Sequence, residues 1–252
     1  MLNAVLFDLD GTLLGNEMGA FVPVYFKALT DYMAHLIPPE QLIAGIMAGT
    51  QAMDANDGTG ATNQEAFERV CYARLDKGRD NFTPVLRQFY REHFPQLRPV
   101  TQRLPEARRL VDWAFEQNLE VVIATNPVFP RQAVEHRLAW AGVPVSEYDY
   151  ALVTSYENMH ATKVTPAYYR EILSYLGLAP EACVMIGDSW KLDIVPAAAV
   201  GIPSYWIVGS DSVAQDDAPS DDGVPLIGSG TLADLWRQVE EEGRLQPSTF
   251  NL

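Results

Sequence analysis

Asp8 and Asp10 sit two residues apart, directly after the apolar run Ala4-Val5-Leu6-Phe7. Alternate side chains of an extended segment lie on one side, so the two carboxyls share a face and Leu9 turns into packing. A third carboxyl, Asp188, follows the apolar run Cys183-Val184-Met185-Ile186 through Gly187. Thr125 and Asn126 end the run Val121-Val122-Ile123-Ala124, and Lys163 follows Ala151-Leu152-Val153. Parallel α/β sheets bind ligands at the carboxyl ends of their strands, so these residues, distant in sequence, are expected along one edge. Clustered carboxylates repel, and without a counterion at least one is driven toward protonation. A hard divalent cation relieves this, and oxygen ligands suit magnesium. The ion would also bring positive charge to an anionic substrate, and Lys163 would add more. Gly11 and Thr12 would let backbone N–H groups approach a phosphate.

The elements that must hold these residues are legible as a pattern. Short apolar runs bounded by turn residues read as strands buried on both faces. Besides the four named, Ser204-Tyr205-Trp206-Ile207-Val208 runs into Gly209. Helical periods lie between them at 104–117, 131–141, 166–176 and 192–200, with Thr165 as N-cap and Pro166 at the first position of the third. Gly142, Gly177 and Gly201 follow three of these helices and suit left-handed caps. Alternation of this kind predicts an α/β fold with a parallel sheet covered on both sides. Residues 15–99 differ: they carry helical periods at 21–36, 39–52, 64–75 and 83–94 and no buried strand. The expectation is a Rossmann-like core from 1–14 and 100–252, with an α-helical domain inserted at 15–99. The stretch 54–62, rich in glycine and small polar residues, joins two inserted helices and has the character of a substrate-facing loop. The acidic run from Asp211 to Gly223 reads as a solvated loop.

Composition narrows the function. With 252 residues, 48% hydrophobic, the chain can bury a large core. Its net charge of −15 argues against nucleic acid or an anionic membrane as partner. No apolar run reaches the length of a membrane-spanning helix, and the N-terminus lacks a signal-peptide pattern, so a cytoplasmic location is expected. Two cysteines, Cys71 and Cys183, exclude a disulfide scaffold and read as buried thiols. The four histidines show no metal or triad spacing, and no G-x-S-x-G elbow is present. Nothing in the sequence fixes an oligomeric state.

Phe7-Asp8-Leu9-Asp10-Gly11-Thr12-Leu13-Leu14 resembles motif I of the haloacid dehalogenase-like (HAD) hydrolase superfamily. Thr125 resembles motif II, Lys163 in Lys163-Val164-Thr165-Pro166 resembles motif III, and Gly187-Asp188-Ser189-Trp190-Lys191-Leu192-Asp193-Ile194 resembles motif IV. The helical insertion resembles the C1-type cap of these proteins. Val164 after Lys163 and Leu192 before Asp193 depart from many relatives, yet neither change removes a catalytic group.

The resemblance implies a magnesium-dependent phosphatase acting on a small phosphorylated metabolite. Asp8 would be the nucleophile that forms an aspartyl-phosphate, and Asp10 the acid and then the base. Magnesium would be held by the Asp8 carboxylate, the Asp10 main-chain carbonyl and Asp188. Asp193, expected across a loop from Asp188, would be a ligand or support one. Thr125 and Asn126 would bind phosphoryl oxygens, and Lys163 would pair with Asp8 and the phosphoryl group. Dehalogenase relatives generally lack an acid two residues after the nucleophile, so Asp10 favours phosphoryl transfer. A phosphomutase, or a regulatory protein that binds a phosphometabolite without turnover, are the alternatives.

Overall fold

The computed structural model describes residues 1–75, 79–209, 224–243 and 245. Six strands form one parallel sheet in the order β5-β4-β1-β6-β7-β8: β1 (Ala4–Phe7), β4 (Glu120–Ile123), β5 (Leu152–Val153), β6 (Cys183–Gly187), β7 (Ser204–Ile207) and β8 (Leu226–Gly230). The central strand β1 is buried along its whole length. Its residues alternate between two cores, as a pleated strand requires. Val5 and Phe7 join one hydrophobic cluster, whereas Ala4 and Leu6 join the other.

The first face is covered by α5 (Pro105–Glu116), α6 (Arg131–Ala141) and α9 (Leu232–Glu242). The second is covered by α7 (Ala167–Leu176) and the short α8 (Val195–Ala198). Pro166 takes the N-cap position of α7 and Ala167 the first helical position, so the helix begins one residue later than expected, and no donor the helix needs is lost at the proline. Gly142 and Gly177 cap α6 and α7 in the left-handed region, and Gly201 is left-handed beyond α8.

The inserted helices are α1 (Met18–Met33), α2 (Pro39–Asp54), α3 (Asn63–Leu75) and α4 (Arg79–Glu92). The chain leaves and returns through β2 (Leu14–Gly15) and β3 (Gln102–Arg103), which pair antiparallel, so the two crossings support each other. Phe21, Tyr25, Phe89 and Phe94 pack with Phe129 and Trp140, and one hydrophobic cluster runs from the inserted helices to the sheet.

Strand β8 and helix α9, like the short β2 and β3, lie beyond the pattern read from the sequence. In β8 only Ile227 is buried, which leaves no apolar run to recognise. Helix α9 follows it, opened by a capping box between Thr231 and Asp234. The acidic run 211–223 lies outside the described residues. Both cysteines are buried and free, and no described helix is long and apolar enough to cross a membrane.

Candidate active site

Register brings the candidate residues together. Phe7 of β1 sits opposite Ile123 of β4 and Ile186 of β6. The residues just past these positions, Asp8, Thr125 with Asn126, and Asp188, therefore emerge along one edge. They line an open cleft of about 1260 Å³ together with Asp10, Lys163 and Asp193.

Asp8 leaves β1 with its amide donating to the Ile186 carbonyl at 2.9 Å. The chain then turns tightly: Gly11 N–H donates to Leu14 O at 2.8 Å and Thr12 N–H to Leu9 O at 3.3 Å. Leu9 is fully buried, as the alternation required. The turn needs glycine, because Gly11 has φ +87° and a Cβ there would collide with the Asp188 carboxylate. In the structure the Gly11 and Thr12 amides close this turn, while the Thr12 hydroxyl donates to Asp188 Oδ1 at 3.3 Å. Both residues serve the site by shaping it.

Lys163 is the electrostatic centre. It is 1% exposed, and its ammonium donates to Asp8 Oδ1 and Asp193 Oδ1, each at 2.5 Å. Its own amide donates to Asn126 Oδ1 at 3.2 Å, tying the loop after β5 to the end of β4. Burial alone would depress the lysine, but Asp193 and Asp8 more than offset this and hold it well above its usual value. Asp193 is reached through a π-helical turn at Trp190–Ile194, where a loop was expected. That wider turn points Asp193 back under the site, and its Oδ2 accepts from Ser189 N–H at 2.9 Å. Both Asp193 oxygens are thus engaged, and its first task is to hold Lys163.

Asp8, Asp188 and Asp193 present carboxylate oxygens within 4.8 Å of one another. One ammonium cannot neutralise three carboxylates. Burial, then the neighbouring negative charges, pushes Asp188 up to about 8. Asp8 is raised to about 6, chiefly by burial and against the pull of Lys163. An all-oxygen donor set with excess negative charge fits a hard divalent cation such as magnesium.

Asp10 lines the same cleft but its carboxyl is held apart from this cluster. Asn16 Nδ2 donates to Oδ1 at 2.8 Å, and Arg137 forms a close ion pair with Oδ2. Burial raises Asp10 above the ordinary carboxylate value, while Arg137 pulls it down. Arg137 is 1% exposed and lies over the Phe129 ring, 4.6 Å from its centroid. Neither Asn16 nor Arg137 was singled out from the sequence. A signal existed for Arg137: it falls on the apolar face of α6 with Ala133, Val134, Leu138 and Ala141, where a charge needs a buried partner.

Thr125 is buried at the cleft, with its carbonyl accepting from Thr154 Oγ1 at 2.7 Å and from the Tyr168 hydroxyl at 3.0 Å. The loop at 54–62 contributes no residue to the cleft lining. Instead Thr162 Oγ1 donates to Asp54 Oδ1 at 2.9 Å, and Asn63 Nδ2 donates to Ala161 O at 3.0 Å. The inserted region therefore clasps the loop that carries Lys163.

Residues 2–201 match the family model for haloacid dehalogenase-like hydrolases, and the chain belongs to that family. It is a hydrolase whose relatives include phosphatases. A phosphoglycolate phosphatase of Rhodospirillum rubrum is 27% identical over 205 residues, which cover 81% of this chain and 78% of that protein. The pyrophosphatase PpaX of Bacillus cereus is 25% identical over 203 residues, 79% of this chain and 80% of that one. Among solved structures, a 2-haloacid dehalogenase from Pseudomonas syringae superposes with a TM-score of 0.63 at 20% identity, covering 97% of this chain and all (100%) of that chain, a likeness of fold.

Proposed function

We propose that the protein hydrolyses a small phosphate monoester through an aspartyl-phosphate on Asp8, with magnesium as cofactor. The observation that carries this reading is the pairing of Asp8, engaged by Lys163 at 2.5 Å, with a second cleft carboxyl, Asp10, whose affinity for a proton is raised. A nucleophile needs its charge kept available, and an acid needs a proton to give. In the first step an Asp8 oxygen bonds to phosphorus and the bond from phosphorus to the ester oxygen breaks. Asp10 gives its proton to that oxygen, so an alcohol leaves. In the second step water attacks phosphorus, Asp10 takes back a proton, and the acyl-phosphate P–O bond breaks to release inorganic phosphate and free Asp8. Lys163 offsets charge on the transferring group, and Thr125 and Asn126 bind its oxygens.

Magnesium, held by Asp8, Asp188 and the Asp10 main-chain carbonyl with Asp193 alongside, would stabilise charge on the phosphoryl oxygens when bound. Arg137 and Asn16 position the Asp10 carboxyl. Residues 15–99 act as a C1-type cap over a core of 1–14 and 100–252, placed to enclose the leaving group and exclude water. The names of the relatives support this reading, as does an acid two residues after Asp8.

The experiment is inorganic phosphate release from a panel of phosphate monoesters with and without magnesium, with 2-haloacids as controls. Magnesium-dependent release from at least one ester is expected. Halide release without phosphate release would refute the reading.

A further inference from the structure

Beside the cleft lies a second, apolar pocket of about 180 Å³ between α1, α2, α3 and the loop at 128–130. Its walls include Met18, Tyr25, Ile46, Phe67, Tyr90 and Phe129, and none of its lining residues is charged. It adjoins the catalytic cleft, since Met18, Val128 and Phe129 line both. Phe129 is the shared wall. One side of it meets Arg137, the partner of Asp10, and Tyr25 packs against it at 5.4 Å in an edge-to-face contact. Its hydroxyls are those of Tyr25 and Tyr90, hydrogen-bonded to each other at 2.8 Å, of Thr50, which donates to the Ile46 carbonyl at 3.1 Å, and of Tyr156.

Charge in the cleft points the same way. Among the described lining residues, Asp8, Asp10, Glu17, Asp188 and Asp193 face only two cations, Lys163 and Arg137. Both cations are already in buried ion pairs. Magnesium, when bound, would serve the transferring phosphoryl group, so a leaving group bearing its own carboxylate or phosphate would meet five acids and no uncommitted side-chain cation among the described lining residues. An uncharged apolar group would instead exchange water for the adjoining pocket. A dry cavity of about 150 Å³ takes a benzene, so this one suits a single six-membered ring or a branched alkyl group of that size.

Resting on the phosphatase reading above, we infer that the substrate is a phosphate monoester with an uncharged apolar leaving group about the size of one carbon ring, seated between α1, α2 and Phe129. This sets the chain apart from the phosphoglycolate and pyrophosphate in its relatives' names.

The test compares kcat/KM, with magnesium, for benzyl phosphate, methyl phosphate and phosphoglycolate, all esters of primary alcohols, and for pyrophosphate. Benzyl phosphate is expected to exceed each of the others by at least about tenfold, the range that added apolar contact supplies in a fitted pocket. Val22→Phe, which grows into the pocket from α1, is expected to erase the benzyl-over-methyl preference. Phosphoglycolate or pyrophosphate matching or surpassing benzyl phosphate would overturn the inference and leave the phosphatase reading intact. Release of phosphate from no ester would overturn the phosphatase reading. Calorimetric binding of uncleaved benzyl phosphate then decides for the pocket. Affinity about tenfold above methyl phosphate, lost in Val22→Phe, upholds it, and equal affinities overturn it. The wild-type ranking does not depend on any variant folding.

Discussion

Replacing Lys163 with methionine keeps the apolar stem and deletes the charge. In the wild type, Nζ lies 2.5 Å from an oxygen of both Asp8 and Asp193, and the three side chains are 2%, 8% and 1% exposed. At an effective dielectric of about 20, each contact carries roughly 7 kcal/mol of gross attraction. Desolvation cancels most of that gain, but the variant keeps the desolvated carboxylates and loses their cation. Truncating one partner of a buried pair costs about 3–5 kcal/mol, and that is the expected loss at pH 8 without magnesium. The sign of the pH dependence follows from the carboxyls. Freed from Lys163, the Asp8 and Asp188 values, already raised chiefly by burial, rise further above the unfolded value of about 4. The folded state then holds protons that the unfolded state releases, so stability falls as pH climbs from about 4 through the raised values. The deficit is therefore larger at pH 8 than at pH 5. Urea unfolding followed by circular dichroism, with wild type alongside, measures it. A loss below about 1 kcal/mol at pH 8, or equal deficits at both pH values, would show that Lys163 does not neutralise this cluster. Adding Asp193→Asn should recover part of the loss, with a coupling of about 0.5–3 kcal/mol.

Asp8→Asn should lower phosphate release more than about 10⁴-fold while thermal unfolding stays close to wild type; retained turnover would remove Asp8 as nucleophile. Asp8 and Asp188, raised to about 6 and about 8 without the ion, must shed protons as magnesium binds, so affinity rises with pH. Magnesium should raise the melting temperature more at pH 8.5 than at pH 5.5, and an equal shift would refute that linkage. Arg137 pulls the Asp10 value down, so Arg137→Met should move the alkaline limb of the kcat profile to higher pH; an unmoved limb would separate Arg137 from Asp10. Gly11→Ala places a Cβ at φ +87° against Asp188 and should cost about 1–3 kcal/mol in stability, read by the same urea unfolding.

Strand ends carried most of what was legible beforehand. Strands buried on both faces read as unbroken apolar runs, and a polar residue just after one stands out, as Asp8, Thr125 and Asp188 do. Lys163 could be placed only by its distance from such a run. Its full burial follows from the register of β1, β4 and β6, which no local pattern contains. Arg137 and Asn16 were missed because their partner, Asp10, is remote from Arg137 in sequence and close to Asn16 across an irregular turn. A glycine after an aspartate fits an anion nest and a tight turn equally well, and only the structure shows the Gly11 and Thr12 amides donating to Leu14 and Leu9 within a turn. Helix α9 was within reach through Thr231 and Asp234, but its strand β8 was hidden by two glycines and a serine.

The place of β1 at the centre of the sheet sets the order in which the molecule can be made. Ala4 pairs with Glu120 on one side and Cys183 on the other. During synthesis, β1 thus leaves the ribosome before both of its neighbours and waits for them. The inserted helices, whose partners are nearer in sequence, have time to collapse while β1 stands unpaired. Contacts of such sequence separation slow folding and leave an apolar strand open to wrong pairings. The nucleophile at its end is consequently the first site residue synthesised and among the last to acquire its surroundings, because Lys163, Asp188 and Asp193 all arrive after most of the chain. A nascent chain arrested before residue 183 should expose β1 to a chaperone or protease, and one extended past 209 should protect it.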